Sequence, residues 1–167
     1  MNWGDNMKKI KVGKVVNTHG IKGEIRILSD FQFKDKVFKI NNSIIIGDKE
    51  YIIKSYRVHK MFDMVTLDGY NNINDVLFLL KKDVYFDEDN LLLNDNEVLD
   101  DELLEFKVIN NKGEVGEVLE VFYASATNKI IRIKFDKEYL VPYREPFVVK
   151  INKNNKEIVI ELLEGME

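Results

Sequence analysis

Short apolar runs, cut at close intervals by turn residues, leave this chain of 167 residues few folds to choose from. Candidate strands lie at Val12–Val16, Gly23–Leu28, Ser43–Ile46, Tyr51–Val58, Met64–Leu67 and Val84–Phe86. Six more lie at Phe106–Ile109, Gly116–Phe122, Ile130–Phe135, Tyr139–Val141, Phe147–Ile151 and Glu157–Leu162. Asn41-Asn42, Gly47-Asp48, Asp68-Gly69, Asn110–Gly113, Asp136-Lys137 and Asn152–Lys156 supply the reversals between them. Within the runs, apolar and polar residues alternate as in half-buried strands. Ile25 and Ile27 oppose Glu24 and Arg26; Ile131, Ile133 and Phe135 oppose Arg132 and Lys134; Ile158, Ile160 and Leu162 oppose Glu157 and Glu161. Strands this short at this spacing predict an all-β sandwich or barrel, not βαβ units. One short helix is predicted over Asn74–Lys82, capped by Asn72 or Asn74, with Val76, Leu77, Leu79 and Leu80 on its apolar face. Lys81 and Lys82 would end it where the dipole favours cations. A helical turn is predicted at Asp100–Glu105.

The formal net charge of −4 hides a division along the chain. Residues 1–82 hold 15 Lys or Arg and 9 Asp or Glu, a net +6, whereas residues 83–167 hold 10 and 20, a net −10. Such a split predicts two units that meet different surfaces, although mixed charge also keeps small domains soluble. A basic half suits phosphate backbone and an acidic half suits a basic protein. The boundary is expected in Asp87–Leu99, within a stretch from Asp83 to Glu105 that has ten acids and no Lys or Arg. Leu91-Leu92-Leu93 interrupts that stretch and is expected to anchor the connector against one or both domains. With no cysteine, disulfide and thiol chemistry are excluded, which fits a reducing cytosol. No apolar run approaches the roughly 20 residues that cross a bilayer. The start, MNWGDNMKK, lacks the apolar segment of a secretory signal, so a loose tail at Met1–Asn6 and a cytoplasmic chain are expected.

Lys11–Leu28 is the segment most suggestive of function. Gly13, Gly20 and Gly23 predict a tightly folded loop at a sheet rim, because glycine accepts positive φ and close backbone approach. His19-Gly20, with Lys22 before Gly23, reads as a contact loop, as a structural turn, or as a catalytic imidazole, though no nucleophile lies nearby. His59 falls in Arg57–Lys60, read as a hairpin loop in which three of four residues can carry positive charge. That suits RNA or an acidic protein, and equally a solvated turn. Two histidines forty positions apart, without cysteine, give no zinc spacing. Asp87–Asp89 lacks the glycine and spacing of a calcium loop, and none of the four serines sits in a nucleophile elbow. No glycine-rich run ends in Lys followed by Ser or Thr. No catalytic residue, metal or cofactor is therefore expected, and binding is the expected activity. Leu140-Val141-Pro142-Tyr143 closes a strand at a proline, and Tyr143, Arg144 and Phe147 form a candidate aromatic-basic patch, with Phe147 expected to pack inward.

In order and spacing these residues resemble the bacterial RimM family of ribosome maturation factors, from Lys8 to Met166. The match runs through Val12-Gly13-Lys14-Val15, His19-Gly20-Ile21-Lys22-Gly23-Glu24-Ile25, Arg57-Val58-His59-Lys60 and Leu67-Asp68-Gly69. In the second half it runs through Gly113-Glu114-Val115-Gly116-Glu117-Val118, Leu140-Val141-Pro142-Tyr143 and the Ile158–Met166 ending. The resemblance implies two small β-barrels in tandem with one or two short helices. They would be a six-stranded RimM-type barrel over 8–88 and a PRC-type barrel over 99–167, joined by an acidic, leucine-bearing linker over 89–98. It implies a non-enzymatic assembly factor that binds the immature small (30S) ribosomal subunit at its head through the basic nineteenth small-subunit protein. The implied outcome is 16S rRNA processing and maturation. A monomer without cofactor or membrane attachment is expected. Candidate contact residues are His19, Gly20, Lys22, Gly23, Arg57, His59 and Lys60 in the first half and Val98, Leu99, Pro142 and Tyr143 in the second.

The chain departs from the family pattern at three places. Val98-Leu99 stands where the family carries Tyr-Tyr, which keeps apolar contact and loses the polar tip. Ser125-Ala126-Thr127-Asn128 replaces a Gly-Ala-x-Asp turn, and Asn152 replaces an aspartate. Two other readings stay open on sequence alone: a general RNA-binding barrel with no ribosomal role, and an enzyme, such as a hydrolase, that uses His19.

Overall fold

Alternation in the sequence becomes inside and outside in the structure. The computed structural model describes residues 8–163, 165 and 166; the expected tail Met1–Asn6 lies outside the described residues. The chain divides between Leu92 and Leu93 into two compact units.

In the first unit, β1 (Lys9–His19), β2 (Glu24–Leu28), β3 (Ser43–Ile46), β4 (Lys49–His59), β5 (Phe62–Leu67) and β6 (Asp83–Asp87) close a barrel in the order β1-β2-β5-β4-β3-β6. All pairings in it are antiparallel. Closure removes the exposed sheet edge. Register shifts in β1 and β4 mark bulges, which bend a strand so that a small sheet can curl shut. Ile25, Ile27, Ile53, Val65 and Leu67 are fully buried in the barrel. Each contributes about 2 kcal/mol by leaving water. Gly13 lies within β1 rather than in the loop that follows, and a Cβ there would come within 2.8 Å of the Ile27 side chain.

Asp63 is the buried charge of this barrel, 1% exposed. The Tyr56 hydroxyl donates to it at 2.6 Å, and the Lys34 ammonium lies 3.1 Å from its other oxygen. Burial, and then the bond to Asp63, push the Tyr56 phenol well above its ordinary pKa. Lys34 is delivered by α1 (Lys34–Val37), a helical turn that has no side-chain cap and that sequence reading omits. The expected helix over Asn74–Lys82 is shorter than predicted. Asn72 does cap it, accepting from the Asn74 amide at 2.9 Å. However, α2 (Ile73–Val76) passes into a tight helical turn at Leu77–Leu79 and stops. Lys81 takes a left-handed φ of 68° and donates its amide to the Val15 carbonyl at 2.8 Å. Bonding to β1 therefore outcompetes another helical turn, and the two lysines lie beyond any helix end.

In the second unit, β7 (Lys107–Ile109), β8 (Val115–Ser125), β9 (Asn128–Lys134), β10 (Glu138–Pro142), β11 (Val148–Asn152) and β12 (Glu157–Ile160) form one curled, barrel-like sheet in the order β10-β9-β8-β7-β12-β11. The β7–β12 pair is parallel. α3 (Asp100–Leu103) supplies the expected helical turn. Ile131, Ile133, Ile158 and Ile160 point inward as their alternation requires, and Phe147 packs against the same core. Of the three boundary leucines, Leu91 is buried and Leu92 is exposed, so the run does not anchor as a block. Counted by structural unit, the charge division is milder than the sequence halves suggest. Residues 1–92 hold 15 basic and 13 acidic side chains, a net +2, and residues 93–167 hold 10 and 16, a net −6. The four acids from Asp83 to Asp89 belong to the first unit.

Gly20 and Gly23 both have positive φ, 68° and 85°, but their surroundings differ. A Cβ on Gly23 would fall 2.4 Å from the Tyr70 carbonyl oxygen, whereas nothing lies within 4 Å of one on Gly20. Gly20→Ala is expected to cost about 1 kcal/mol and Gly23→Ala roughly 2 kcal/mol or more, in urea denaturation followed by circular dichroism. Equal costs would show that the approach to Tyr70 does not hold the β1–β2 tip.

Candidate functional site

Two hairpin tips meet at one rim of the first barrel. The β1–β2 tip turns through Gly20 and Gly23, and the Ile21 carbonyl accepts the Ile73 amide at 2.9 Å, which ties the tip to α2. The β4–β5 tip is tighter. His59 pairs with Phe62 across it, and Lys60 takes a φ of 56°. Arg57, which the sequence places both in the strand Tyr51–Val58 and in the loop Arg57–Lys60, is a strand residue, and so is His59, which the sequence places in the loop. Pairing of β2 with β5 sets the two tips side by side. It brings together the sequence-predicted His19, Gly20, Lys22 and Gly23 with Arg57, His59 and Lys60.

The His19 and His59 rings lie 5.6 Å apart, centroid to centroid, tilted by 52°. An Arg26 Nη2 hydrogen points to His19 Nδ1 at 2.7 Å. Guanidinium only donates, so Nδ1 accepts and the ring hydrogen sits on Nε2. Arg57 grips Glu24 with two bonds, Nε to Oε2 at 2.9 Å and Nη2 to Oε1 at 2.7 Å. That fork holds the Glu24 carboxyl below its ordinary pKa. The Arg26 guanidinium also lies 5.7 Å over the Phe62 ring. Partial desolvation, and then the cations of Arg57, Lys60 and Arg26 together with His19, push the His59 imidazole below its ordinary pKa. Sequence reading missed Glu24, Arg26 and Phe62. The alternation in β2 placed Glu24 and Arg26 on the outward face, and only the tertiary pairing supplied their partners.

Charge at the rim is unevenly compensated. Arg57 and Glu24 neutralise each other. Among the described residues, no carboxylate pairs with Lys22, Arg26 or Lys60. Beside these cations stand three exposed apolar side chains, Ile21 at 74%, Val58 at 64% and Met61 at 68% exposure. A shallow hollow of about 360 Å³ lies beside them, lined by His19, Gly20, Ile21, Lys22, Glu24 and Thr66.

The second-unit candidates are arranged differently. Val98 and Leu99 are 2% and 9% exposed. Val98 belongs to the core of its own unit, so neither side chain is displayed for a partner. The two residues lead directly into α3, and burying them sets that helix on the sheet. Pro142 ends β10 as a strand-terminal proline should. The Tyr143 ring is half-buried with the Lys129 ammonium 4.3 Å from its centre, and Lys129 pairs with Asp100 at 2.5 Å. Asp100 also accepts from the Tyr123 hydroxyl at 2.9 Å. Burial, and then the Asp100 charge, push the Tyr143 phenol up to about 12. Its hydroxyl is buried, so Tyr143 contributes packing more than a polar tip. Arg144 alone of the aromatic-basic patch is well exposed, with its guanidinium 5.7 Å over Phe147.

Replacing Arg57 by Gln removes the largest cause of the Glu24 shift. The Glu24 carboxyl should then titrate back toward its ordinary 4.5, read by carboxyl NMR signals. The sign follows from linkage: a depressed carboxyl stabilises the fold above its ordinary pKa, and that contribution fades as pH falls through the lowered value. An unchanged Glu24 titration would sever the fork from the electrostatics of the rim.

The RimM N-terminal domain family matches residues 10–91, and the RimM PRC barrel domain family matches residues 100–166. A ribosome maturation factor RimM of Staphylococcus aureus is 37% identical over 165 residues, spanning 95% of this chain and 98% of the relative. The same factor from another strain of that species is 36% identical over the same span. Among solved structures, a Pseudomonas aeruginosa RimM aligns with a TM-score of 0.47 at 17% identity, covering 93% of this chain and 98% of that one. The N-terminal domain of RimM from Thermus thermophilus aligns at 0.45 and 16% identity, covering 52% of this chain and 98% of that domain. Both domain families match in tandem and in order, and the chain belongs to the RimM family of ribosome maturation factors.

Proposed function

We propose that this chain is a non-enzymatic, cytoplasmic assembly factor that binds the immature small ribosomal subunit at its head and promotes maturation of 16S rRNA. In this reading the acidic second unit engages the basic nineteenth small-subunit protein, and the rim of the first barrel meets rRNA. The chain acts as a monomer. A binder of this kind works by favouring the particle arrangement it fits best, and its affinity falls once the head matures.

One observation carries the assignment of the first unit: two basic segments forty positions apart converge on one rim, with His19 and His59 only 5.6 Å apart. Two independent basic turns would need no such meeting. The second unit's share rests on its net charge of −6, which favours a basic partner and disfavours phosphate. No described helix is long and apolar enough to cross a membrane.

The test is co-sedimentation with immature and mature small subunits at moderate salt. Preferential binding to immature particles is expected. Replacing Lys22 and Lys60 together by Glu should weaken that binding about tenfold, since each removes a phosphate-facing charge and adds a repelling one. Equal binding to both particles would overturn the assembly reading. Tight, salt-sensitive binding to naked RNA without that preference would favour a general RNA-binding barrel instead.

A further inference from the structure

We propose that the rim formed by the β1–β2 and β4–β5 tips is a site for a single RNA backbone phosphate, gripped by His19, His59 and Arg26, and that gripping it takes up a proton. This rests on the reading that the rim meets rRNA, and it names the chemical group that is met.

The geometry is that of a bracket. The imidazole centroids lie 5.6 Å apart. His19 Nδ1 is committed to Arg26, so Nε2–H is the ring donor left for a ligand. Arg26 has no carboxylate partner among the described residues; its Nη2 donates to the His19 ring, and its Nε is buried without an acceptor. A guanidinium held in this way keeps its charge available. Lys22 and Lys60 flank the pair on the two tips, and no carboxylate neutralises them among the described residues. Among the described residues, the acid paired at the rim is Glu24, and Arg57 occupies both of its oxygens.

Proton uptake follows from what surrounds His59. Arg57 and Lys60 face it from its own hairpin, His19 from β1, and Arg26 and Glu24 from β2, with the uncharged Phe62 ring opposite it on β5. The cations outnumber the single, already compensated carboxylate, and they hold the free imidazole below its ordinary pKa. A phosphate oxygen between the rings adds the missing negative charge. It favours the protonated ring, which then donates to the phosphate. Affinity must therefore rise as pH falls through the range between the free and bound pKa values of the ring.

The experiment measures binding of the full chain to a labelled single-stranded RNA oligonucleotide by fluorescence anisotropy at fixed ionic strength. Binding about tenfold tighter near pH 6 than near pH 8 is expected, as one coupled proton allows. The His59 ring signals in NMR should titrate at higher pH with RNA than without it. The double variant His19→Gln, His59→Gln should lose the pH ratio and keep its circular dichroism melt. An RNA with uncharged methylphosphonate linkages should bind with no pH ratio. A ratio that survives in the double variant, a ratio equally large with the uncharged backbone, or a His59 titration unmoved by RNA would each overturn the proposal. No arm uses a ribosomal particle. A chain that shows the ratio but ignores immature subunits fails only the assembly reading, and one that sediments with them but lacks the ratio fails only this one.

Discussion

Ile25 faces Val65, Arg26 faces Met64 and Ile27 faces Asp63 across the seam between β2 and β5, and every side chain at the rim depends on that alignment. Successive strand residues point to opposite faces, so a slip of one residue would turn Ile25 and Ile27 outward and Glu24 and Arg26 into the barrel. The slip would expose two side chains whose burial contributes about 2 kcal/mol each. It would also bury charges at a cost of several kcal/mol each. Burial therefore fixes the register far more firmly than any contact at the rim could. The rim inherits its geometry from the core, and it can be spent on binding without loss of fold.

That inheritance explains how a cluster of cations persists on a folded surface. Bringing Arg26, Arg57, Lys22 and Lys60 together is unfavourable, and one carboxylate cannot compensate four positive groups. The fork between Arg57 and Glu24 cancels one of them in the most directional way available. Arg26 is instead bonded to a neutral imidazole and lies over an aromatic face, two interactions that fix the guanidinium without cancelling its charge. The arrangement is stable because the barrel over-determines it, and it remains electrostatically unsatisfied. Such a surface attracts anions.

How much of this was legible in the sequence depended on the range of the interaction that decides it. Alternation and turn chemistry are local, and all twelve strands form at the expected places; Ser43–Ile46 matches to the residue. Strand ends were less legible, because polar residues such as Lys9, Lys49 and Ser125 continue a ladder without marking it by burial. The helix ending at Val76 was overpredicted because nothing in Leu77–Lys82 reveals that β1 will capture the Lys81 amide. α1 has neither a capping side chain nor a clear apolar stripe, and its role, carrying Lys34 to Asp63, is visible only in three dimensions. Val98-Leu99 shows the limit most clearly, since an apolar pair reads the same whether it is displayed to a partner or buried in its own core. The meeting of His19 with His59 is of the same kind: each loop was legible as basic, but their convergence is a property of barrel closure.

The charge division also changes meaning once the fold is known. The first unit's net charge of +2 is too small to draw a polyanion by itself, because the acids from Asp83 to Asp89 fall on its own β6 and just beyond. Of these, Asp83 is answered locally, with Lys11 3.4 Å away, while Lys9 sits 4.9 Å over the neighbouring Tyr85 ring. Asp83 pairs with Lys14, five residues before His19 along β1. At the strand rise that is roughly 17 Å from the rim, about two screening lengths at physiological salt. A phosphate approaching the tips therefore feels Lys22, Arg26 and Lys60 and little of the acidic strand. For a small barrel of nearly balanced charge, what an anion meets is decided by which end of each strand carries the unpaired cations, and composition averaged over half the chain conceals that.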